Sequence, residues 1–197
     1  MDFVPIDREP APAVLLLGGI PGSGKSTVAA ALAARFARSA HIEVDALQDL
    51  IVRGGHPPVP EGDPEADRQI FLRARNACLL ADSLVLAGFL PVIDDVVVRR
   101  THLDLYASSL RTRPFHAVFL APGPQKAWER NNARDKRLTT DWAPLDEAMR
   151  TELRGDGVWI DNARQSVEET VDAVLAATGL GPTAPPGTPA DGTGSLR

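Results

Sequence analysis

A glycine-rich stretch near the start of the chain carries the residues best suited to hold phosphate groups. It consists of Gly19, Ile20, Pro21, Gly22, Ser23, Gly24, Lys25, Ser26 and Thr27. Glycines let backbone N–H groups wrap around an anion without clashes from Cβ atoms. Lys25 adds a positive charge beside the outer phosphates, and the Ser26 hydroxyl is a ligand that suits Mg²⁺. The stretch therefore predicts a phosphate-binding loop, residues 19–27.

The residues on either side of this loop support that interpretation. Residues 14–17 form an apolar run that predicts a buried strand, and residues 28–37 form an alanine-rich segment that predicts a helix. A helix that begins at the loop directs its N-terminal dipole at the same anion. The alternative is a chance match in a glycine-rich turn. A dinucleotide-binding loop is disfavoured, because Thr27 stands where its third glycine is required.

Asp45 is the candidate for acid–base chemistry. Residues 41–44 predict a short strand, and Asp45 follows its carboxyl end. In open parallel sheets that edge carries the ligand crevice, and the phosphate-binding loop lies there too. Asp45 is therefore predicted to accept the proton of an attacking hydroxyl. Its alternative role is to cap a helix over residues 46–53, and the loop upstream favours the first role.

Two adjacent carboxylates follow the next predicted strand. Residues 90–93 are apolar, and Asp94 and Asp95 come directly after them. A carboxylate at a strand end suits the orientation of a magnesium ion. Asp94 is preferred as the partner of Ser26 in this role, because it directly ends the apolar run, and Asp95 would cap the turn. The alternative is that both carboxylates are capping or solvated groups.

A cationic stripe follows the fourth predicted strand. It consists of Lys126, Arg130, Arg134 and Arg137, which are spaced so that they share one face of a helix, with Glu129 elsewhere on that helix. Arginines on one face predict a lid over about residues 124–140 that closes on the transferring phosphate. Arg130 and Arg134 are the best candidates for a catalytic role. The alternative is an ordinary solvated basic face.

The order of the remaining elements predicts an α/β fold. Apolar runs at 14–17, 41–44, 90–93, 115–120 and 158–161 predict five strands. Helices are predicted over 28–37, 66–87, 101–110 and 146–154, and a capping box at Ser166–Glu169 begins a last helix that ends at Gly179. Strands that alternate with helices favour a five-stranded parallel sheet flanked by helices in three layers.

Two other segments have open interpretations. Residues 54–64 are rich in glycine and proline and predict either a substrate-recognition loop or a surface connector, with His56 more consistent with solvent exposure. Polar residues of the long third helix lie off its apolar stripe and are expected to face either the substrate or solvent, with solvent favoured. They are Arg68, Arg73, Arg75 and Asn76.

Composition limits the class of protein. The 197 residues carry a net charge of −5, which argues against a dedicated nucleic-acid-binding protein. The single cysteine, Cys78, excludes an internal disulfide and fits a buried thiol. No signal peptide or membrane-spanning stretch is visible, so a cytoplasmic protein is expected. We expect an N-terminal extension over 1–12, one domain over 13–178 and a disordered tail over 179–197.

Taken in order, these motifs resemble a group of P-loop kinases. They are the loop at 19–26, Val44-Asp45, the strand that ends in Asp94-Asp95, the helix that bears Arg130 to Arg137, Asp161-Asn162, and Ser166-Val167. The group contains chloramphenicol phosphotransferases, with zeta toxins and the kinase domain of polynucleotide kinases as more distant relatives. The resemblance covers about residues 13–178.

The resemblance implies a P-loop NTPase fold with a five-stranded parallel sheet and a helical lid. It implies Asp45 as the base, Lys25 and Ser26 as ligands of the nucleotide and its metal, and lid arginines at Arg130, Arg134 or Arg137. The expected activity is transfer of the γ-phosphate of ATP, with Mg²⁺, to a hydroxyl of a small molecule such as an antibiotic or a sugar-like metabolite. The alternatives are a polynucleotide or nucleoside hydroxyl kinase, a zeta-toxin-like nucleotide-sugar kinase, and a non-catalytic nucleotide-binding switch. No nucleic-acid or membrane partner is expected, and the oligomeric state and the choice between ATP and GTP stay open.

Overall fold

One five-stranded sheet forms the centre of the computed structural model, which describes residues 13–58, 63–132 and 143–181. The strands are β1 (Val14–Gly18), β2 (Ser39–Glu43), β3 (Leu90–Asp95), β4 (Phe115–Leu120) and β5 (Val158–Ile160). Their order across the sheet is β2-β3-β1-β4-β5, and every neighbouring pair is parallel. The predicted α/β fold with five parallel strands is thus confirmed.

Helices cover both faces of this sheet. They are α1 (Lys25–Ala33), α2 (Val44–Gln48), α3 (Pro64–Leu86), α4 (Arg100–Ser109), α5 (Pro124–Asn132), α6 (Ala143–Glu152) and α7 (Val167–Thr178). Side chains of β1 alternate between the two faces. Leu15 and Leu17 pack with α1 and α7, whereas Val14 and Leu16 pack with α3, α4 and α6. The result is a three-layer arrangement with β1 in the middle.

The region around α2 differs from the sequence-based prediction. Helix α1 ends at Ala33 and not near residue 37, and the Ser39 hydroxyl donates to the Ala33 carbonyl at 2.5 Å. Strand β2 ends at Glu43, and the fully buried Val44 begins α2. Glu43 therefore holds the N-cap position and Asp45 lies in the first turn. The alternative role of Asp45 as a helix cap is wrong.

Other helix ends follow their local capping residues. Helix α3 begins two residues earlier than predicted, because the Asp63 side chain accepts a hydrogen bond from the Glu65 N–H at 2.8 Å. The predicted capping box at the start of α7 is present, and α7 ends at Gly179 with φ of +70°. None of the helices in the described ranges is long and apolar enough to cross a membrane. The predicted extension at 1–12 and residues 182–197 of the predicted tail lie outside the described residues.

The predicted buried thiol is also present. Cys78 belongs to α3, and its side chain is almost completely buried in the core. Burial raises the pKa of its thiol to about 12, with a smaller contribution from the negative charges of Asp82 and Asp95. A thiol in this state packs as a small apolar group and is not a nucleophile at neutral pH.

Candidate functional site

The phosphate-binding loop joins β1 to α1 through two tight turns. Gly22 and Gly24 have φ of +82° and +98°, a region that favours glycine. The Ser23 N–H donates to the Ile20 carbonyl at 3.1 Å, which closes the turn. The side chain of Ile20 is fully buried in the core, so this residue offers only its backbone to the loop. Gly22 and Gly24 of the sequence motif therefore stand at positions whose backbone conformation favours glycine.

The loop also packs closely against α5. A Cβ atom at Gly22 would lie 2.2 Å from the carbonyl oxygen of Ala127, well inside van der Waals contact. Only glycine allows this approach, because the obstacle is backbone and cannot rotate away. Helix α5, which carries the predicted cationic stripe, is thus fixed directly beside the loop.

The Ser23 carbonyl oxygen is held from two other elements. Arg130 Nη1 of α5 donates to it at 3.2 Å, and Asn162 Nδ2, after β5, donates to it at 3.0 Å. Arg130 Nη2 also donates to the Asn162 carbonyl at 2.8 Å. The Ser23 hydroxyl is fully buried and has no hydrogen-bond partner within the described part of the chain.

Ser26 and Asp94 lie together, as predicted for a magnesium site. The Ser26 hydroxyl donates to Asp94 Oδ1 at 3.4 Å, while Asp94 Oδ2 lies 2.5 Å from His41 Nε2. The Lys25 ammonium donates to the Ile20 carbonyl at 3.2 Å and so lies over the loop. A hydroxyl and a carboxylate oxygen are ligands that Mg²⁺ accepts.

The described residues contain no group of three or more His, Cys, Asp or Glu side chains that could hold a metal alone. Mg²⁺ commonly takes one or two protein ligands and completes its shell with water and substrate phosphates. The Ser26 hydroxyl and the Asp94 carboxylate offer two such protein ligands beside the loop.

Asp95 has a different environment from Asp94. Its carboxylate is buried and accepts hydrogen bonds from the Tyr106 hydroxyl and the Val96 N–H, both at 2.8 Å. His102 Nε2 lies 3.1 Å away and Arg73 Nη2 lies 3.9 Å away. Burial by itself would raise the pKa of Asp95, but these partners favour the carboxylate and the net effect lowers the pKa. Asp95 thus belongs to the core, and its bond to Val96 matches the predicted turn-capping role.

Asp45 is held by a residue of α3. Arg73 Nη1 lies 3.1 Å from Asp45 Oδ1, and the Arg73 side chain is only 9% exposed whereas that of Asp45 is 66% exposed. The expectation that Arg73 faces solvent is wrong, because α3 turns this residue towards α2 and the end of β3. Arg68 and Arg75 are exposed as expected.

A cavity of about 450 Å³ lies between the loop and α2. Lys25, Ser26 and Asp94 line one side of it. The other side is lined by Glu43, Asp45, Asp49 and Arg73. A molecule bound here would lie between the phosphate-binding loop and the Asp45 carboxylate. We refer to it below as the larger cavity.

A second cavity of about 230 Å³ lies between α1 and α7. Its lining includes Gly24, Thr27, Arg130, Asn162, Gln165 and Thr170. The amide oxygens of Asn162 and Gln165 are buried and have no hydrogen-bond partner among the described residues. The bond from Asn162 Nδ2 to Ser23 fixes the orientation of that amide, so its oxygen is available as an acceptor. We refer to this space as the smaller cavity.

The predicted cationic stripe divides into parts with different roles. Lys126 forms a surface ion pair with Glu129 at 3.1 Å, so Glu129 is a neighbour of the stripe and not remote from it. Arg130 contacts the loop backbone as described above. Arg134 and Arg137 lie outside the described residues.

The described ends of the 54–64 loop attach to α3. Gln69 Nε2 donates to the Gly54 carbonyl at 2.7 Å, and the His56 N–H donates to Gln69 Oε1 at 2.8 Å. Gln48, which lines the larger cavity, donates to the same Gln69 oxygen at 2.9 Å. His56 pairs with Asp63 at 2.7 Å and lines neither cavity as described.

Sequence reasoning gave no role to His41 or Gln165, named Asn162 only within the family resemblance, and favoured solvent exposure for Arg73. Asn162 follows β5 at the same sheet edge as the other site residues, and that position is a signal for its role. His41 lies within β2. The alternation of side chains along a strand does not tell whether this histidine contacts Asp94 or is exposed to solvent.

The fold and this geometry agree with comparisons to known proteins. Residues 14–155 match the family model described as an AAA domain. The match spans well over half of the chain, so the chain belongs to this family. It has a P-loop nucleotide-binding fold of the kinase-like type. No curated protein matches the sequence.

Three solved structures illustrate the likeness in fold. A sugar kinase from Janibacter sp. HTCC2649 has a TM-score of 0.63 and 22% identity over 89% of this chain and 97% of its own. A tunicamycin resistance protein from Deinococcus radiodurans has a TM-score of 0.61 and 18% identity over 88% and 99%. A shikimate kinase from Bacteroides thetaiotaomicron has a TM-score of 0.61 and 17% identity over 85% and 99%. At these identities the likeness concerns the fold.

Proposed function

We propose that the protein is an ATP-dependent kinase that transfers the γ-phosphate to a hydroxyl of a small molecule. The observation that carries this proposal is the larger cavity. Lys25 and Ser26 of the phosphate-binding loop line one side, and Asp45, held by Arg73, lines the other. A hydroxyl placed between them would face both a phosphate donor and a carboxylate base.

The donor side would use the loop and the smaller cavity. Backbone N–H groups of residues 19–27, apart from Pro21, and the Lys25 ammonium would hold the phosphates. The unpaired oxygens of Asn162 and Gln165 would accept hydrogen bonds from the exocyclic amine of adenine in the smaller cavity. This acceptor pair suits a purine nucleotide that carries an exocyclic amine, and we propose that the donor is ATP.

Ser26 and Asp94 would hold the magnesium ion, with His41 fixing the Asp94 carboxylate. When bound, Mg²⁺ neutralises charge on the phosphate oxygens. Arg130 is already fixed beside the loop by two hydrogen bonds. Together with Arg134 and Arg137, it is proposed to offset the charge of the phosphoryl group during transfer.

Asp45 would act as the general base. Its carboxylate is largely exposed to the larger cavity, so a substrate hydroxyl can approach it. Arg73 fixes one carboxylate oxygen at 3.1 Å and leaves the other to accept the proton. The resemblance to chloramphenicol phosphotransferases and the fold shared with the Deinococcus tunicamycin resistance protein make an antibiotic one candidate acceptor. A sugar-like metabolite is the other, supported by the fold shared with the Janibacter sugar kinase.

The test is ADP release by the purified protein with Mg–ATP against a panel of hydroxyl compounds. We expect at least one compound to stimulate turnover, and Asp45→Asn to lower the stimulated kcat by about 100-fold or more without weakening ATP binding. Asp67→Asn, an exposed carboxylate of α3, is the matched control and should keep normal turnover. Normal stimulated turnover in Asp45→Asn would disprove the base. Turnover with water alone would indicate a nucleotide-binding switch instead.

A further inference from the structure

We infer that the phosphate acceptor is an uncharged or cationic hydroxyl compound, and that anionic hydroxyl compounds are excluded from the site. The inference rests on the proposed kinase function, since it concerns the acceptor side of the same cavity. It is carried by the charges on the wall that faces the phosphate-binding loop, defined here as the α2 wall: Glu43, Asp45, Gln48, Asp49 and Arg73.

The α2 wall carries three carboxylates. Glu43 ends β2, and Asp45 and Asp49 come from α2 and the turn that follows it. All three residues are exposed and line the cavity. They project from one short segment of seven residues, so an acceptor that reaches Asp45 must approach the other two carboxylates as well.

Arg73 is the one cationic side chain of the α2 wall as described, and its charge is already balanced. Its guanidinium lies 3.1 Å from Asp45 and 3.9 Å from the buried Asp95, and the side chain is only 9% exposed. An anionic acceptor would have to compete with Asp45, the proposed base, for the small part of this side chain that is exposed. The guanidinium therefore serves to position Asp45 and does not provide a site for a substrate carboxylate or phosphate.

Lys25 is the cation that lines the opposite side of the larger cavity among the described residues, and it lies over the loop, where it serves the donor. Arg130 lines the smaller cavity and is bonded to the Ser23 and Asn162 carbonyls. An acceptor anion near Asp45 would also lie close to the γ-phosphate, whose negative charge adds to that of the α2 wall. Negative charge on both sides would repel an anionic acceptor, and this arrangement of charges therefore excludes anions from the site.

Three compounds that share one carbon skeleton test this inference: glucosamine, glucose and glucuronate, which carry a positive, zero and negative charge at neutral pH. Binding of each is measured by ligand-observed NMR titration to the full chain with Mg–ADP bound. We expect glucosamine to bind at millimolar concentration, and glucuronate to bind on the order of 100-fold more weakly. Because the experiment measures binding and not turnover, its result tests the inference separately from the proposed phosphate transfer.

A double variant identifies the source of the discrimination. Glu43→Gln with Asp49→Asn removes two carboxylates of the α2 wall and keeps Asp45, and it should reduce the glucosamine-to-glucuronate ratio by about tenfold. Asp67→Asn with Glu147→Gln changes the net charge equally at exposed sites outside both cavities, and it should leave the ratio unchanged. Glucuronate binding as tight as that of glucosamine, no binding of glucosamine, or an unchanged ratio in Glu43→Gln/Asp49→Asn would overturn the inference.

Discussion

Asp94 and Asp95 are neighbours in β3 but have unrelated surroundings. Successive side chains of a strand point to opposite faces of the sheet. Asp94 thereby reaches His41 and Ser26 beside the loop, whereas Asp95 reaches Tyr106 inside the core. Both positions carry aspartate, and only the direction of the side chain distinguishes Asp94, the candidate metal ligand, from Asp95, a structural carboxylate.

The buried bond between Tyr106 and Asp95 should contribute measurably to stability. Tyr106→Phe removes a hydroxyl that donates to a buried carboxylate at 2.8 Å. Hydrogen bonds to charged groups are worth roughly 1.5–3 kcal/mol, so we expect the free energy of unfolding to fall by about 2 kcal/mol at pH 7. Urea denaturation measures the change. Ser108→Ala on the same helix removes an exposed hydroxyl bond and should change stability by only a few tenths of a kcal/mol, about the effect of a surface substitution.

The same variant has a definite pH dependence. The pKa of Asp95 lies below its ordinary value of 3.8 in the folded protein, although burial alone would raise it. A lowered pKa means that the unfolded chain binds more protons, so the stabilisation is complete above about pH 4 and is lost as the pH falls through the folded pKa. The difference between Tyr106→Phe and the parent protein should therefore shrink in that acid range. A difference that stays constant down to pH 2 would contradict the charged hydrogen bond.

At the scale of elements, the contact between the loop and α5 depends on Gly22. In Gly22→Ala the new Cβ meets the Ala127 carbonyl at 2.2 Å in addition to the strain of φ at +82°. We expect the dissociation constant for ATP, measured by calorimetry, to rise at least about tenfold, because strain of this kind costs about 1–3 kcal/mol before the clash is counted.

Gly123→Ala is the matched control for this prediction. Its φ is +85°, and nothing lies within 4 Å of the added Cβ, so it introduces the backbone strain without the clash. It should lower the free energy of unfolding by about 1–3 kcal/mol and leave ATP binding unchanged. Equal effects of both substitutions on ATP binding would show that strain, and not the approach to α5, is what matters at Gly22.

Local sequence patterns predicted those elements whose bounds are set by residues close together in the chain. Strand β4 has the predicted bounds, and the capping box at Ser166 fixed the start of α7. Helix α2 was misplaced because five residues are too short for a periodic apolar pattern. The burial of Arg73 was missed because it depends on how α3 packs against α2, which no local pattern contains. The bond from Asn162 to Ser23 joins residues 139 positions apart and is likewise invisible to spacing.

At the scale of the whole molecule, all five strands deliver site residues to one edge of the sheet. The loop follows β1, Asp45 follows β2, and Asp94 is the last residue but one of β3. Helix α5 after β4 supplies Arg130, and Asn162 follows β5. Crevices at the carboxyl ends of parallel strands are the usual ligand sites in such sheets. For this reason the order of strands and helices along the sequence was enough to predict the position of the site.

A ligand held by so many elements should stabilise the entire domain. At an ATP concentration 100 times its dissociation constant, with Mg²⁺, we expect a gain of about 2.7 kcal/mol in the free energy of unfolding, which corresponds to about 5–10 °C in Tm. Thermal unfolding measures it. Lys25→Met should fold but lose most of this shift at the same ATP concentration, because the ammonium beside the phosphates is absent.

Lys126→Met serves as the comparison, since it removes a surface charge paired with Glu129. Its shift with Mg–ATP should equal that of the parent protein. A full shift in Lys25→Met would exclude the loop as the phosphate site.

The hold of Asn162 on the Ser23 carbonyl has a consequence for biosynthesis. A ribosome makes residues 19–27 before Asn162, whose amide holds the Ser23 carbonyl from 139 positions further along the chain. Until β5 has paired with β4, the nascent loop has the conformational freedom of its glycines and lacks one of its two anchors. We therefore expect ATP binding to reach full strength only after β5 takes its place, so the loop is synthesised well before it becomes competent.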